Sequence, residues 1–115
     1  MDSKFIIDNL LRQDESDRLV FLPRATKDLL AKNVTAMLNY RGGDILVGVD
    51  DNRNVIGYSV EDLQDVQKAL TNRIRPSAPI DIHSIDYDGK SIMLISVWEG
   101  AQKPYHCDGI IFQNP

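Results

Sequence analysis

Two adjacent glycines, Gly42 and Gly43, separate two segments whose hydrophobic patterns differ. Before them, residues 26–40 place apolar side chains at spacings of three and four, which predicts a helix. After them, residues 44–49 form a short apolar run rich in Ile and Val, which favours a buried strand. A helix joined to a buried strand by two glycines excludes all-helical and all-β folds.

The same patterns extend along the rest of the chain. Helices are predicted over residues 3–13 and from 59 to about 75, the latter opening with a capping-box pattern at residues 59–62. Six strands are predicted, and two Asp-Gly turns, at 88–89 and 108–109, divide the last third into a β-meander. The predicted strands are residues 18–22, 44–49, 55–58, 80–87, 90–99 and 110–112.

We therefore expect an α+β fold in which a mixed β-sheet packs against about three helices. Thr26 is expected to cap the second helix, Ser3 to cap the first, and the glycine pair to end the second. The periodicity also predicts which side chains form the core. The expected buried residues are Leu30, Ile45, Val47, Leu63, Leu70 and Leu94.

The length of 115 residues fits one domain, residues 1–115, which can bury a core without disulfide or metal support. Because the chain stops just beyond a predicted strand, we expect it to be the N-terminal fragment of a longer protein. No apolar run approaches the roughly 18 residues of a membrane span, so no membrane association is expected. Cys107 is the single cysteine, which fits a cytoplasmic location and a packing role.

The charge balance limits the class of partner. Thirteen Lys and Arg against 17 Asp and Glu give a net charge of −4. Affinity for nucleic acid comes largely from cations that displace counterions, so a general phosphate-binding surface is disfavoured. Composition by itself favours a protein or small-molecule partner, and nucleic-acid binding would need a local basic patch.

The common catalytic and cofactor motifs are absent from the sequence. There is no phosphate-binding loop of the Gly-Lys-Ser/Thr type and no dinucleotide fingerprint. The two histidines, His83 and His106, and Cys107 do not have metal-ligand spacing. His106 and Cys107 are neighbours on an extended segment, so their side chains should point to opposite faces rather than form a catalytic pair.

Three stretches resemble the Schlafen AlbA-like domain family, formerly called the divergent AAA-type domain. Residues 15–21 are similar to its Glu-Ser-x-x-x-Glu-Phe-Lys opening. Residues 36–51 are similar to its Ala-Phe-Ala-Asn-x-x-Gly-Gly motif, apolar strand and Gly-Val-Asp-Asp end, and residues 103–105 to its Lys-Pro-Tyr motif. The matching positions of the central motif are Gly42, Gly43, Gly48, Asp50 and Asp51.

This resemblance implies a nucleic-acid-binding module, for DNA or RNA, of a bacterial transcriptional regulator. Such a regulator would carry a helix-turn-helix region downstream of this domain. Arg41, Arg53 and Lys103 are expected to contact nucleic acid, since they lie near the Gly-Gly and Lys-Pro-Tyr motifs that the resemblance brings together. Two alternatives stay open: a protein-interaction or dimerisation module whose closing strand pairs with a partner's edge, and a degenerate metal-dependent ribonuclease.

The ribonuclease alternative depends on three carboxylates. Nuclease members of the family hold a divalent cation with two glutamates five residues apart and an aspartate near the Gly-Val-Asp-Asp strand end. Glu15 matches the first position and Asp50 or Asp51 the third, but Val20 occupies the second and cannot ligate a cation. We therefore expect no enzymatic activity and no cofactor. Glu15, Asp50 and Asp51 remain the candidates for a Mg²⁺ ion bound without turnover.

Overall fold

The computed structural model describes residues 3–24, 26–59 and 62–112. These residues form three helices: α1 Ser3–Leu11, α2 Lys27–Leu38 and α3 Asp62–Arg73. They also form seven strands, of which three have only two residues. In chain order the strands are β1 Leu19–Leu22, β2 Gly42–Val47, β3 Ile74–Arg75, β4 Ile80–Tyr87, β5 Lys90–Trp98, β6 His106–Cys107 and β7 Ile110–Ile111.

The main sheet has four strands in the order β1-β2-β5-β4. Strand β1 pairs with β2 in parallel, whereas β2 with β5 and β5 with β4 are antiparallel. The short strands form a second sheet in the order β3-β6-β7. The predicted α+β class, with a mixed sheet and about three helices, is therefore confirmed.

The main sheet separates two hydrophobic clusters, because successive side chains of a strand point to opposite faces. On one face, Ile45 and Val47 of β2 join residues of α2 and α3. On the other face, Leu46 joins Ile7 of α1. Five of the six predicted core residues are buried, but Leu63 is only half-buried, since it lies in the first turn of α3, before Val66 and Leu70 reach the core.

Two predicted strands differ from the structure, residues 55–58 and the last strand, residues 110–112. Residues 55–58 are not a strand: they fold over Gly48, whose carbonyl accepts the N–H groups of Ile56 and Gly57. Gly48 has a φ of +104°, and a Cβ there would lie 2.9 Å from the Gly57 backbone, so only glycine permits this contact. The meander also ends after β5, because the second Asp-Gly hairpin pairs with β3, a strand placed where the helix was predicted to continue.

The helix ends also need correction. Thr26 occupies the N-cap position of α2, but its side chain makes no capping hydrogen bond. Helix α2 ends at Leu38 with Asn39 as C-cap in a right-handed conformation, and Gly42 already belongs to β2. Two further predictions fall outside what the structure describes. One is the cap formed by the Ser3 side chain, and the other is the part of the capping-box pattern at Val60 and Glu61.

Asn39 ties the end of α2 to the segment that follows β5. Its carbonyl oxygen accepts the N–H of Tyr105 at 2.6 Å, and its amide nitrogen donates to the carbonyls of Tyr105 and Phe112 at 2.9 and 2.8 Å. Tyr105 is buried, and the N–H of Gly100 donates to the carbonyl of Leu38. The Asn39 side chain thus provides hydrogen-bond partners for three backbone groups that lie outside the paired strands.

Replacing Asn39 with Ala should lower the free energy of unfolding by about 2 kcal/mol, because partly buried backbone groups lose their partners. Urea denaturation followed by circular dichroism measures the change. Asn33→Ala is the matched control: Asn33 is in the same helix, its side chain makes one hydrogen bond to Leu29, and its replacement should cost no more than about 0.5 kcal/mol. Equal losses in the two variants would contradict this role for Asn39.

Candidate functional site

The central motif residues support the backbone on both sides of β2. Gly42 has a φ of +77°, and a Cβ there would lie 2.3 Å from the carbonyl oxygen of Val97 on β5. A Cβ on Gly43 would lie 2.5 Å from the carbonyl oxygen of Arg18, beside β1. The pair therefore allows close strand approach rather than opening a ligand-binding loop.

The candidate metal ligands are engaged with the backbone. One carboxylate oxygen of Glu15 accepts the N–H of Phe21 at 2.7 Å. Asp50 accepts the N–H groups of Asn52 and Asn54 at 2.9 and 2.8 Å, and the hydrogen bonds from Asn54 hold the pKa of Asp50 below its usual value. Within residues 3–24, 26–59 and 62–112, no three His, Cys, Asp or Glu side chains are placed to hold a metal ion.

Val20 and Asp51 occupy the second position, and one of the two candidates for the third, of the carboxylate triad found in the family's nuclease members. Val20 is half-buried and packs against the cluster beneath α2 and α3. Asp51 is exposed in the turn after β2. The position where a second glutamate would stand is thus used for packing.

Arg41 and Lys103, two of the three predicted basic residues, lie beside the same tyrosine. The Lys103 ammonium donates to the carbonyl of Tyr40 at 3.0 Å and to a carboxylate oxygen of Glu99 at 2.6 Å. The Arg41 guanidinium lies over the Tyr40 ring, 5.6 Å from its centroid. The chain thus brings the Gly-Gly and Lys-Pro-Tyr segments together.

Arg53 lies at the other end of β2. Its guanidinium forms an ion pair with Asp14 at 2.9 Å and lies 3.4 Å from the carbonyl of Leu11, at the end of α1. A strand of six residues spans about 20 Å, so Arg53 and Arg41 flank opposite ends of β2. The three predicted basic residues therefore do not form one patch.

Two residues that sequence reasoning missed, Arg18 and Trp98, share a surface depression with Arg41. We call it the Trp98 groove; its polar and aromatic lining consists of Arg18, Arg41, Asp44, Ser96, Trp98 and Glu99. Trp98 is 54% exposed and pairs in register with Gly42, which has no side chain to cover the indole. The sequence contained one signal for this site: Trp98 is a large aromatic residue on the polar side of the end of a strand.

The charges of the Trp98 groove are unequally paired. Lys103 holds the pKa of Glu99 below its usual value, chiefly through their hydrogen bond. Among the described residues, no carboxylate lies within 4 Å of the Arg18 or Arg41 guanidinium. The groove lining is formally neutral, with Arg18 and Arg41 against Asp44 and Glu99, and the adjacent Lys103 adds one positive charge beside it on a chain of net charge −4.

The sequence matches the family model described as Schlafen, AlbA_2 over residues 11–113. The chain belongs to this family. No curated protein matches it in sequence. The matched range contains the glycine motif, the residues that line the Trp98 groove and the Lys-Pro-Tyr segment.

Two solved structures share the fold. The N-terminal domain of a Nitrosomonas europaea protein, described as related to the ATP-dependent DNA helicase RecG, is 22% identical, with a TM-score of 0.69; the match covers 100% of this chain and 86% of that domain. The DIP2311 protein of Corynebacterium diphtheriae is 20% identical, with a TM-score of 0.66. That match covers 89% of this chain but only 23% of the other, so the chain spans less than a quarter of that protein.

Three other predictions from the sequence concern membrane spans, Cys107 and the closing strand. The longest described helices, α2 and α3, have 12 residues, and none could cross a bilayer. Cys107 is buried, and burial raises the pKa of its thiol. The closing strand expected to pair with a partner is β7, which has two exposed residues, Ile110 and Ile111.

Millimolar Mg²⁺ or Mn²⁺ should not raise the melting temperature of the protein, and the protein should not cleave RNA or DNA with either ion. Glu15 and Asp50 already accept backbone N–H groups, and Val20 supplies no third ligand. Thermal melts and incubation with structured RNA measure both effects. Metal-dependent cleavage that is retained in Glu15→Gln or Glu15→Ala would point to a contaminant, whereas cleavage lost in both would overturn this expectation.

Proposed function

We propose that this domain binds nucleic acid weakly through the Trp98 groove and the adjacent Lys103. The observation that carries the proposal is the position of Trp98: it is exposed in the same depression as Arg18 and Arg41, whose guanidinium groups form no ion pair within 4 Å among the described residues. The family assignment and the helicase-related name of one structural neighbour agree with a nucleic-acid-associated domain.

The chemistry of the groove suits a phosphate backbone with exposed bases. Arg18 and Arg41 present planar guanidinium groups, which bind phosphate oxygens in a bidentate manner. The Trp98 indole offers a surface on which a base can stack, a contact worth roughly 1–3 kcal/mol. Asp44 and Glu99 and the net charge of −4 oppose binding, so affinity should be modest.

The wider role is a separate proposal that rests on the family assignment. We propose that the domain acts in the cytoplasm as the DNA- or RNA-binding module of a transcriptional regulator whose downstream helix-turn-helix region makes the main DNA contact. We also propose that it works without a metal cofactor, because Glu15 and Asp50 hold backbone groups. The sequence encoded after residue 115 tests the regulator role directly: a basic helix-turn-helix is the expected outcome, and an unrelated catalytic domain would contradict it.

The decrease in binding affinity with salt should report how many phosphate contacts the domain makes. Three phosphate contacts give a slope of log K against log salt of about −2 to −3, and a dissociation constant in the range of ~10⁻⁴ to 10⁻⁶ M. Titration of labelled single-stranded and duplex oligonucleotides across a salt series measures both. Replacing Arg18 and Arg41 with Glu should abolish binding, and Trp98→Ala should weaken single-stranded binding about 10-fold while leaving the salt slope unchanged.

The matched control replaces Arg12 and Lys68, which are exposed and lie outside the groove, with Glu. This control changes the net charge by the same amount as the groove variant. It should reduce affinity only slightly, because the two residues lie outside the groove. Circular dichroism of each variant checks that the fold is kept. Equal loss of binding in the groove and control variants, or binding indifferent to both, would place the contact surface elsewhere.

A further inference from the structure

Strand β4, residues 80–87, is an open edge of the main sheet. Its inner side pairs with β5 over all eight residues without a bulge. It is the last strand in the order β1-β2-β5-β4, and no backbone hydrogen bond to its outer side occurs among the described residues. A long unprotected edge of this kind can add a strand from another chain.

The hairpin fixes which residues face outward. The turn residues Asp88 and Gly89 have φ values of +51° and +86°, as in a type I′ turn, which makes Tyr87 and Lys90 a hydrogen-bonded pair. The carbonyl of Ser91 confirms the alternation, because it accepts the N–H of Tyr58 on the side away from β4. The backbone groups directed at the open edge therefore belong to Ile80, Ile82, Ser84 and Asp86.

We propose that a second copy of this chain pairs antiparallel with β4, centred on Ile82. In this register Asp81 of each copy lies opposite His83 of the other, so two carboxylate–imidazole hydrogen bonds form across the two-fold axis. Asp81 and His83 are both exposed on the same face of the strand. Centring on Asp81 would oppose two carboxylates, and centring on His83 would leave Asp81 opposite the buried Ile85.

The opposite face of the strand supports the same register. Ile80 and Ile82 are half-buried and form, with Leu70 and Ile74, the apolar part of a groove whose lining also includes Gln67, Thr71 and Ser77. Two copies centred on Ile82 place the two Ile82 side chains opposite each other at the axis and Ile80 of each copy opposite Ser84 of the other, so the Ile82 pair loses water contact. Pairing of about five residues buries less than the roughly 1,200 Å² of stable interfaces, so we expect a dissociation constant on the order of 10–100 μM.

Sedimentation equilibrium of the 115-residue protein at about 0.15 M salt is the first test. A reversible monomer–dimer equilibrium in that concentration range supports the proposal, and a monomer at millimolar concentration overturns it. This result and the nucleic-acid titration can fail separately, because no residue of β4 lines the Trp98 groove.

Cysteine cross-linking tests the register. Asp81→Cys protein is mixed with mass-labelled His83→Cys protein under mild oxidation, while the native Cys107 is buried. The mixed disulfide should form at least 10-fold faster than either homodimeric disulfide, because positions 81 and 83 are the facing pair. A dominant 83–83 or 81–81 link, or no link above the rate of wild-type protein, overturns the register.

Exchange of the two side chains identifies the partner as a second copy. Asp81→His and His83→Asp should each weaken the dimer at least 10-fold, because they oppose like side chains. The double variant restores Asp–His pairs in the same register and should dimerise like the wild type. Asp51→His is the control: Asp51 is exposed in the turn after β2, outside β4, and its replacement should change little. A double variant weaker than either single one would show that this edge fits a different chain.

Discussion

The close approach of three backbones at the start of β2 is the constraint on which the rest of the structure depends. A side chain at Gly42 would overlap the carbonyl of Val97, and one at Gly43 the carbonyl of Arg18. With both positions bare, β2 lies between β1 and β5 and becomes the buried centre of the sheet. The same approach places Arg18, Arg41 and Trp98 around one depression, so the groove is a consequence of the strand packing.

The motifs that characterise the family contribute structure first. Asn39 satisfies backbone groups of Tyr105 and Phe112, and Gly100 leaves room for the Tyr105 ring, which a Cβ would approach within 2.1 Å. These contacts attach the segment after β5 to the end of α2. That attachment brings the Lys103 ammonium to the carbonyl of Tyr40, beside the Trp98 groove.

Charge is distributed so that the surface at the Trp98 groove is less acidic than the chain as a whole. Several cations form ion pairs on the surface of the fold. Arg73, for example, binds Asp28 and Asp108 and so links α3 to α2 and to the turn before β7. Arg18 and Arg41 differ, since neither forms an ion pair within 4 Å among the described residues. A net charge of −4 therefore describes the whole chain but not the field at the Trp98 groove.

The sequence by itself determined the α+β class, the three helices, the β4–β5 hairpin and most core positions, because these depend on local periodicity and turn residues. It also supplied the family motifs and the loss of a carboxylate at Val20. Only the tertiary structure decided that residues 55–58 fold over Gly48, that the second hairpin joins β3, and that Arg53 lies apart from Arg41. Those outcomes depend on contacts between residues distant in the chain, which no local pattern encodes.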